Sequence, residues 1–389
     1  MLEFTGKNTH ATIMLDEVEQ DVISQLYEMM ASPMFTGQQI RIMPDTHVGD
    51  KCLIGLTSTY NGYIHPSAIG VDIGCGMNAI QFEKDTLNFD CLDKDIRKYV
   101  PLGFNIHKDK TYTMDLIGQY SQMQLKEFTK RQRIDLGIDY DPIDYSGNYL
   151  ERLCKKIDTN QDQLMSALGT LGSGNHFIEI DKDENDNKWL IVHSGSRNFG
   201  LKVANYHAKI AGKTITSCLS GDAAFEYIVD MLYAQAYASF NRMEIIKEIM
   251  SPLEGTVKLN NIVESIHNFI HPQDLIIRKG AISSYTGQSM IIPFNMRDGT
   301  IICEGKSNPE WNFSAPHGAG RSMSRSQAKK TLSLEKFKDE MKDIYSTCVN
   351  VNTLDEAPDS YKNKNIILDN ILPTAEVKHV LKPIFNLKG

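Results

Sequence analysis

The chain has no Cys-x-x-Cys pair, no internal repeat, no low-complexity segment and no apolar run approaching about 18 residues. Each absence removes a class of protein. Without a long apolar run, a membrane-spanning helix is not expected. Met1-Leu-Glu-Phe-Thr-Gly-Lys7 has no basic region followed by an apolar one, so no secretory signal is expected either. The seven cysteines, Cys52, Cys75, Cys91, Cys154, Cys218, Cys303 and Cys348, are scattered and odd in number. That pattern speaks against a disulfide framework or zinc ribbon and for a reducing compartment. A cytoplasmic protein with no membrane partner is expected. An excess of basic charge is also missing, since 41 Lys and Arg stand against 49 Asp and Glu for a net charge of −8. Nucleic-acid binding over the whole surface depends on Lys and Arg neutralising phosphates, so only a local basic path is left open.

What is present is a chain of 389 residues, 41% hydrophobic and 23% charged, able to bury a large core as one domain or two. Val22, Ile23, Leu26 and Met29 or Met30 predict a helix within 17–30. Ile40–Met43, Gly55–Tyr60, Asn78–Phe82, Trp189–His193, Asp274–Arg278, Ser289–Pro293 and Gly299–Cys303 read as strands bounded by Gly, Asn or Asp. Residues 108–165, more polar and including Tyr140-Asp-Pro-Ile-Asp144, are expected as helices and loops outside the core. Gly221-Asp222 opens the clearest helix, with Phe225, Ile228, Val229, Leu232, Ala236 and Met243 on one stripe. Tyr233, Tyr237 and Phe240 are expected to pack rather than to stack on bases, and helices are expected after His317. Pattern alone gives a mixed α/β protein with strands converging on a site built from loops.

The chemistry concentrates in Ala68-Ile-Gly-Val-Asp-Ile-Gly-Cys-Gly-Met77, where the Asp72 carboxylate precedes the Cys75 thiol by three residues among glycines. Such a turn can be purely structural, because free cysteine often behaves as a small buried hydrophobe. His176, His193, His267 and His317 shift the balance: each lies beside Gly, Ser or Asn at the edge of an apolar run, a position suited to ligands rather than core filling. Thiol, imidazole and carboxylate together suit a first-row ion such as Mn²⁺, Co²⁺ or Zn²⁺ better than Ca²⁺ or Mg²⁺. Gly318 and Gly320 beside His317 let backbone approach a phosphate and leave the imidazole accessible as a nucleophile; metal ligation is the alternative role. Arg197 and Arg321, set in Gly-rich motifs, are expected on phosphates, whereas Lys329 and Lys330 fit a solvated helix face as well.

Six segments in order resemble the motifs of the RtcB family of GTP-dependent RNA ligases: Met43-Pro-Asp-Thr-His-Val-Gly49, Val71-Asp-Ile-Gly-Cys-Gly-Met-Asn78, Gly174-Asn-His-Phe-Ile-Glu179, His193-Ser-Gly-Ser-Arg197, Arg278-Lys-Gly-Ala281 and His317-Gly-Ala-Gly-Arg-Ser-Met-Ser-Arg325. The resemblance runs from about residue 40 to Gly389. It implies an α+β fold with mixed sheets around a central metal and nucleotide cleft. It also implies one catalytic domain over residues 1–389, with a mainly helical insert at about 108–165 and a helical segment at about 201–250. Two Mn²⁺ ions would share Cys75, one completed by Asp72 and His176 and the other by His193 and His267. His317 would attack the α-phosphate of GTP and carry GMP. Asn175 would contact the nucleotide phosphate, Glu179, Thr300, Tyr361 and Lys388 would surround the guanine, and Ala319 and Gly320 would offer backbone contacts.

The implied reaction joins RNA 3′-phosphate or 2′,3′-cyclic phosphate ends to 5′-hydroxyl ends, in RNA repair or tRNA splicing. The resemblance leaves an activating accessory protein open as a further partner, because the family uses one in some lineages, although no docking surface for one is visible in the sequence. The chain departs from the family where Pro293-Phe-Asn-Met-Arg297 replaces a Pro-Gly-Ser-Met-Gly turn; Phe294 and Arg297 cannot adopt positive φ cheaply, so a changed loop is expected. With its short length, this suggests a divergent branch. Two alternatives follow: a metal-dependent RNA-end phosphoesterase that has lost guanylylation, and a non-catalytic RNA-binding repair subunit.

Overall fold

Short apolar runs broken by Gly and Asn become the strands of two large sheets in the computed structural model, which describes residues 1–84, 86–108, 112, 115–139, 148–253 and 258–389. One sheet has seven strands in the order Lys258–Ile266, Gly76–Glu83, Lys188–Ser194, Phe177–Lys182, Ala375–Lys388, Gly299–Gly305 and Ser289–Asn295. All its pairs are antiparallel. The other has six strands in the order Leu2–Thr5, His10–Ile13, Gln39–His47, Ile54–Thr59, Ile276–Lys279 and Asn268–Ile270. Its one parallel pair joins His10–Ile13 to Gln39–His47. The expected α+β class is therefore found, and each expected strand overlaps an observed one, although Tyr60, Asp274 and Leu275 fall just outside theirs.

Register in the seven-stranded sheet brings the sequence motifs together. Gly76 lies opposite both Ile266 and Ser194, and His193 lies opposite both Met77 and Phe177. Cys75 before Gly76, His176 before Phe177, His193 and His267 after Ile266 consequently share one end of four neighbouring strands.

The helix Gly221–Met250 backs this end of the sheet. Its buried residues lie on all sides and include Tyr227, Asp230, Tyr233, Asn241 and Arg242. A helix apolar around its circumference belongs in a core, so the expected single stripe was too narrow. Met243, placed on that stripe, is instead 39% exposed. Tyr233 and Tyr237 are buried and pack as expected.

The 108–165 region supplies helices Asp115–Leu136, Tyr149–Lys156 and Gln161–Ser166. Ile117, Leu125 and Phe128 join the same apolar cluster as Ile228 and Leu232, so this segment contributes to the core rather than only covering it. Tyr140–Asp144 lies outside the described residues. Among the described residues no helix is long and apolar enough to cross a membrane.

Candidate functional site

Cys75 is the meeting point of two donor groups. Asp72, Cys75 and His176 offer ligand atoms within 4.8 Å of one another, and Cys75, His193 and His267 do the same. The Cys75 Sγ lies 3.6 Å from His176 Nε2 and 3.3 Å from His193 Nε2. Both rings are aimed by their other nitrogen, for His176 Nδ1 is 2.9 Å from the Leu171 carbonyl and His193 Nδ1 is 3.1 Å from the Asn175 carbonyl. A carbonyl only accepts, so each Nδ1 donates to it, and this turns Nε2 of both rings toward the thiol. Asp72 is positioned by the Ser196 backbone N–H at 3.0 Å and meets His176 Nε2 at 2.9 Å.

Burial sets the charge state of these groups. It acts against the Asp72 carboxylate, yet His176 and Cys75 hold its pKa down to about 2. Burial, reinforced by Asp72, pushes the Cys75 thiol well above its ordinary value. Burial likewise keeps His193 and His267 neutral, with His176 acting on the first and His317 on the second. Imidazoles, one carboxylate and a thiol shared between two sets of ligand atoms form a donor group fitted to borderline divalent cations, whose charge would ionise the thiol.

Positioning of His317 comes from Asp45, 272 residues earlier. One Asp45 oxygen lies 2.6 Å from His317 Nδ1 and accepts from the His317 and Gly318 backbone N–H groups at 3.0 and 3.2 Å. With Nδ1 engaged, Nε2 is the free nitrogen, and the ring centroid is 4.8 Å from that of His267. Close approach requires glycine here: a Cβ on Gly320, whose φ is +73°, would sit 2.1 Å from the Asp45 carbonyl oxygen.

A cleft of about 510 Å³ joins the two halves of the site. Asp72, Cys75, His193, His267, His317, Asn175, Glu179, Ala319, Gly320, Tyr361 and Lys388 all line it. His176 stands just behind, against Asp72 and Cys75. Thr300 does not reach the wall: it is fully buried with an unpartnered hydroxyl, and Gly299 lines the cleft in its place. Several residues at or behind the wall have no role assigned from the sequence. Glu356 accepts from Lys388 Nζ at 2.9 Å, Tyr361 Oη at 2.7 Å and Arg325 at 2.6 Å. Asn386 donates to Glu179 at 2.6 Å. Asp45 could have been marked from Pro44-Asp-Thr-His47 at the end of an apolar run; Glu356 and Asn386 have no such local signal.

The expected phosphate-binding arginines separate. Arg321 and Arg325 line the cleft, Arg321 with its guanidinium 5.3 Å over the Tyr361 ring. Arg197 is instead turned to the Thr170 hydroxyl at 3.0 Å and the Gly103 carbonyl at 2.6 Å. The altered 293–297 segment forms a hairpin with Gly299–Gly305, and Gly299 carries the positive φ of +74°. Phe294 is buried and lines the cleft, while Arg297 pairs with Asp298 at 3.0 Å and Glu340 at 2.8 Å. Phe294 thus extends the strand, and Arg297 lies in the turn without a positive φ, which falls on Gly299 instead.

A model of the family described as tRNA-splicing ligase RtcB matches residues 25–389. The chain is 32% identical to the RNA-splicing ligase RtcB of Escherichia coli (strain K12), over 96% of this chain and 95% of that protein. It is 25% identical to the tRNA-splicing ligase RtcB of Aeropyrum pernix, over 83% and 82% of the two chains, and 25% identical to that of Archaeoglobus fulgidus, over 96% and 92%. The motifs gathered around Cys75 and His317 are carried by a chain that belongs to the RtcB family of RNA-splicing ligases.

Proposed function

We propose that this ligase joins RNA 3′-phosphate or 2′,3′-cyclic phosphate ends to 5′-hydroxyl ends through a covalent His317–GMP intermediate, using GTP and two Mn²⁺ ions. The observation that carries the reading is the Asp45–His317 pair, a base-oriented imidazole whose free Nε2 stands at a cleft beside the shared-thiol donor set. Asp72, Cys75 and His176 would hold one ion, and Cys75, His193 and His267 the other. When bound, the ions would neutralise phosphate charge and align attacking and leaving oxygens.

His317 Nε2 attacks the α-phosphorus of GTP, the bond to the bridging oxygen breaks and pyrophosphate leaves. Asp45 holds the Nδ1 proton throughout and stabilises the positive ring. GMP then passes from His317 to the RNA 3′-phosphate, and the 5′-hydroxyl displaces GMP as the new phosphodiester forms. Asn175 and the backbone at Ala319 and Gly320 serve the phosphates, while Glu179, Tyr361 and Lys388 surround the base. Glu179 favours guanine because N1–H and N2–H form a donor pair that adenine lacks. Thr300, buried away from the cleft, is left out of this set.

Incubation of the protein with α-³²P-labelled GTP and Mn²⁺ tests the first step. An acid-labile label that requires Mn²⁺ and disappears in His317→Ala is expected. Labelling that survives His317→Ala overturns the nucleophile assignment. A parent protein that takes no label yet opens cyclic phosphate ends without GTP would be a phosphoesterase.

A further inference from the structure

Asp181 has no part in the reaction above, yet it is fully buried and neither carboxylate oxygen has a hydrogen-bond donor. It follows Glu179 by two residues in the strand Phe177–Lys182, so both side chains leave the same face of the sheet. Its cross-strand neighbours are Trp189 and Pro383. The Trp189 indole N–H is already given to Asp183 at 3.2 Å, and proline has no N–H to give. Lys182 and Lys188, nearest in the hairpin, turn to Asp186 at 2.8 Å and to the Lys84 carbonyl at 2.5 Å. Among the described residues, the polar group left beside Asp181 is the carboxyl of Glu179.

Two buried carboxyls side by side on one face of a strand are costly to charge together. Their surroundings decide which one holds the proton. Glu179 faces the cleft, receives the Asn386 amide at 2.6 Å and feels the Lys388 ammonium. Arg321 and Arg325 across the cleft are neutralised by Asp355 and Glu356. Asp181 faces no cation and no donor. Burial raises both carboxyls, Asp181 well above the carboxylate range, and only at Glu179 do the Asn386 amide and the Lys388 ammonium oppose it.

We propose that Asp181 is the positioning acid of the nucleotide site: protonated at neutral pH, it donates its O–H to Glu179 and keeps Glu179 an anionic acceptor toward the cleft. The inference rests on GTP being the nucleotide. When the pair takes up a second proton, it lands on Glu179, and the acceptor for guanine N1–H and N2–H is lost. The KM for GTP therefore rises as the pH is lowered and that second proton binds.

The test measures guanylylation of the Mn²⁺-loaded protein with GTP across the neutral pH range. Asp181→Leu, similar in volume but unable to donate, should raise the KM for GTP roughly tenfold at neutral pH and move the acid limb to higher pH, with the larger effect on KM than on kcat. Asp181→Asn keeps an N–H donor and should restore both. A leucine variant with the parent KM and pH limb overturns the proposal, and so does an asparagine variant that behaves like leucine. The infrared difference spectrum between parent and Asp181→Asn at neutral pH reads the proton without nucleotide: a protonated-carboxyl band in the parent is expected, and its absence overturns the assignment. If GTP fails to label the parent at all, the nucleotide reading has failed on its own, and the infrared band alone decides the proton on Asp181.

Discussion

At the scale of single residues, the site depends on pairs that fix which atom of a side chain is free. Asp45 engages His317 Nδ1 and leaves Nε2 free, and in the proposed reaction it would stabilise the charge that develops on the ring. Asp45→Asn keeps the shape but not the charge and can hold the wrong tautomer. Guanylylation should fall roughly 10²–10⁴-fold with the fold intact, which single-turnover labelling beside circular dichroism would show.

Glu356 offers a pH test of a different pair. Burial opposes its charge, but Lys388 and Arg325 hold its pKa at about 2 against an ordinary 4.5. Its folded pKa is depressed, so its contribution is fully present above about 4.5 and is lost as the pH falls toward 2. Urea unfolding should show on the order of 3 kcal/mol more acid-induced loss in the parent than in Glu356→Gln over that window. The residue types of the site were legible in the sequence, in order, because Gly-flanked His, Cys and Asp stand out against apolar runs. The partners were not: Asp45 and His317 are 272 residues apart, and Asn386 and Glu179 are 207 apart, so no local pattern joins them.

At the scale of elements, the long helix Gly221–Met250 does more than fill the core. Arg242, fully buried, donates to the Gly74 carbonyl at 2.8 Å, the Ser194 carbonyl at 3.0 Å, Asn78 at 2.7 Å and Glu264 at 2.7 Å. One side chain thus ties down the residues next to Cys75 and His193 and the strand that leads to His267. Arg242→Met should cost on the order of 3 kcal/mol and lower the metal retained through gel filtration, read by thermal unfolding and elemental analysis. The sequence reading placed this helix but treated its inner face as an apolar stripe, because periodicity does not distinguish a buried arginine from a solvated one. The strand Ala375–Lys388 is hard to see in the sequence, because Lys378, His379, Lys382 and Pro383 split its apolar residues into Val377, Val380-Leu381 and Ile384-Phe385. The strand exists because strands from two distant parts of the chain pair with it on either side.

At the scale of the whole molecule, ions held by donors from four strand ends should bind the folded chain and not the unfolded one. Free Mn²⁺ at about a hundred times its Kd adds about 2.7 kcal/mol, which for a chain of this size raises the Tm by about 3 °C. Cys75→Ala removes a ligand from both groups and should abolish most of that shift in a scanning fluorimetry titration.

The place of Ala375–Lys388 between Phe177–Lys182 and Gly299–Gly305 bears on how the protein is made. A nascent chain that has emerged only as far as Asn370 holds two portions of the seven-stranded sheet without the strand that joins them. The facing edges are then open templates for strands of other chains. Pairings between strands so distant in sequence also form slowly. During translation, therefore, the two portions keep open edges until Ala375–Lys388 is made and pairs between them.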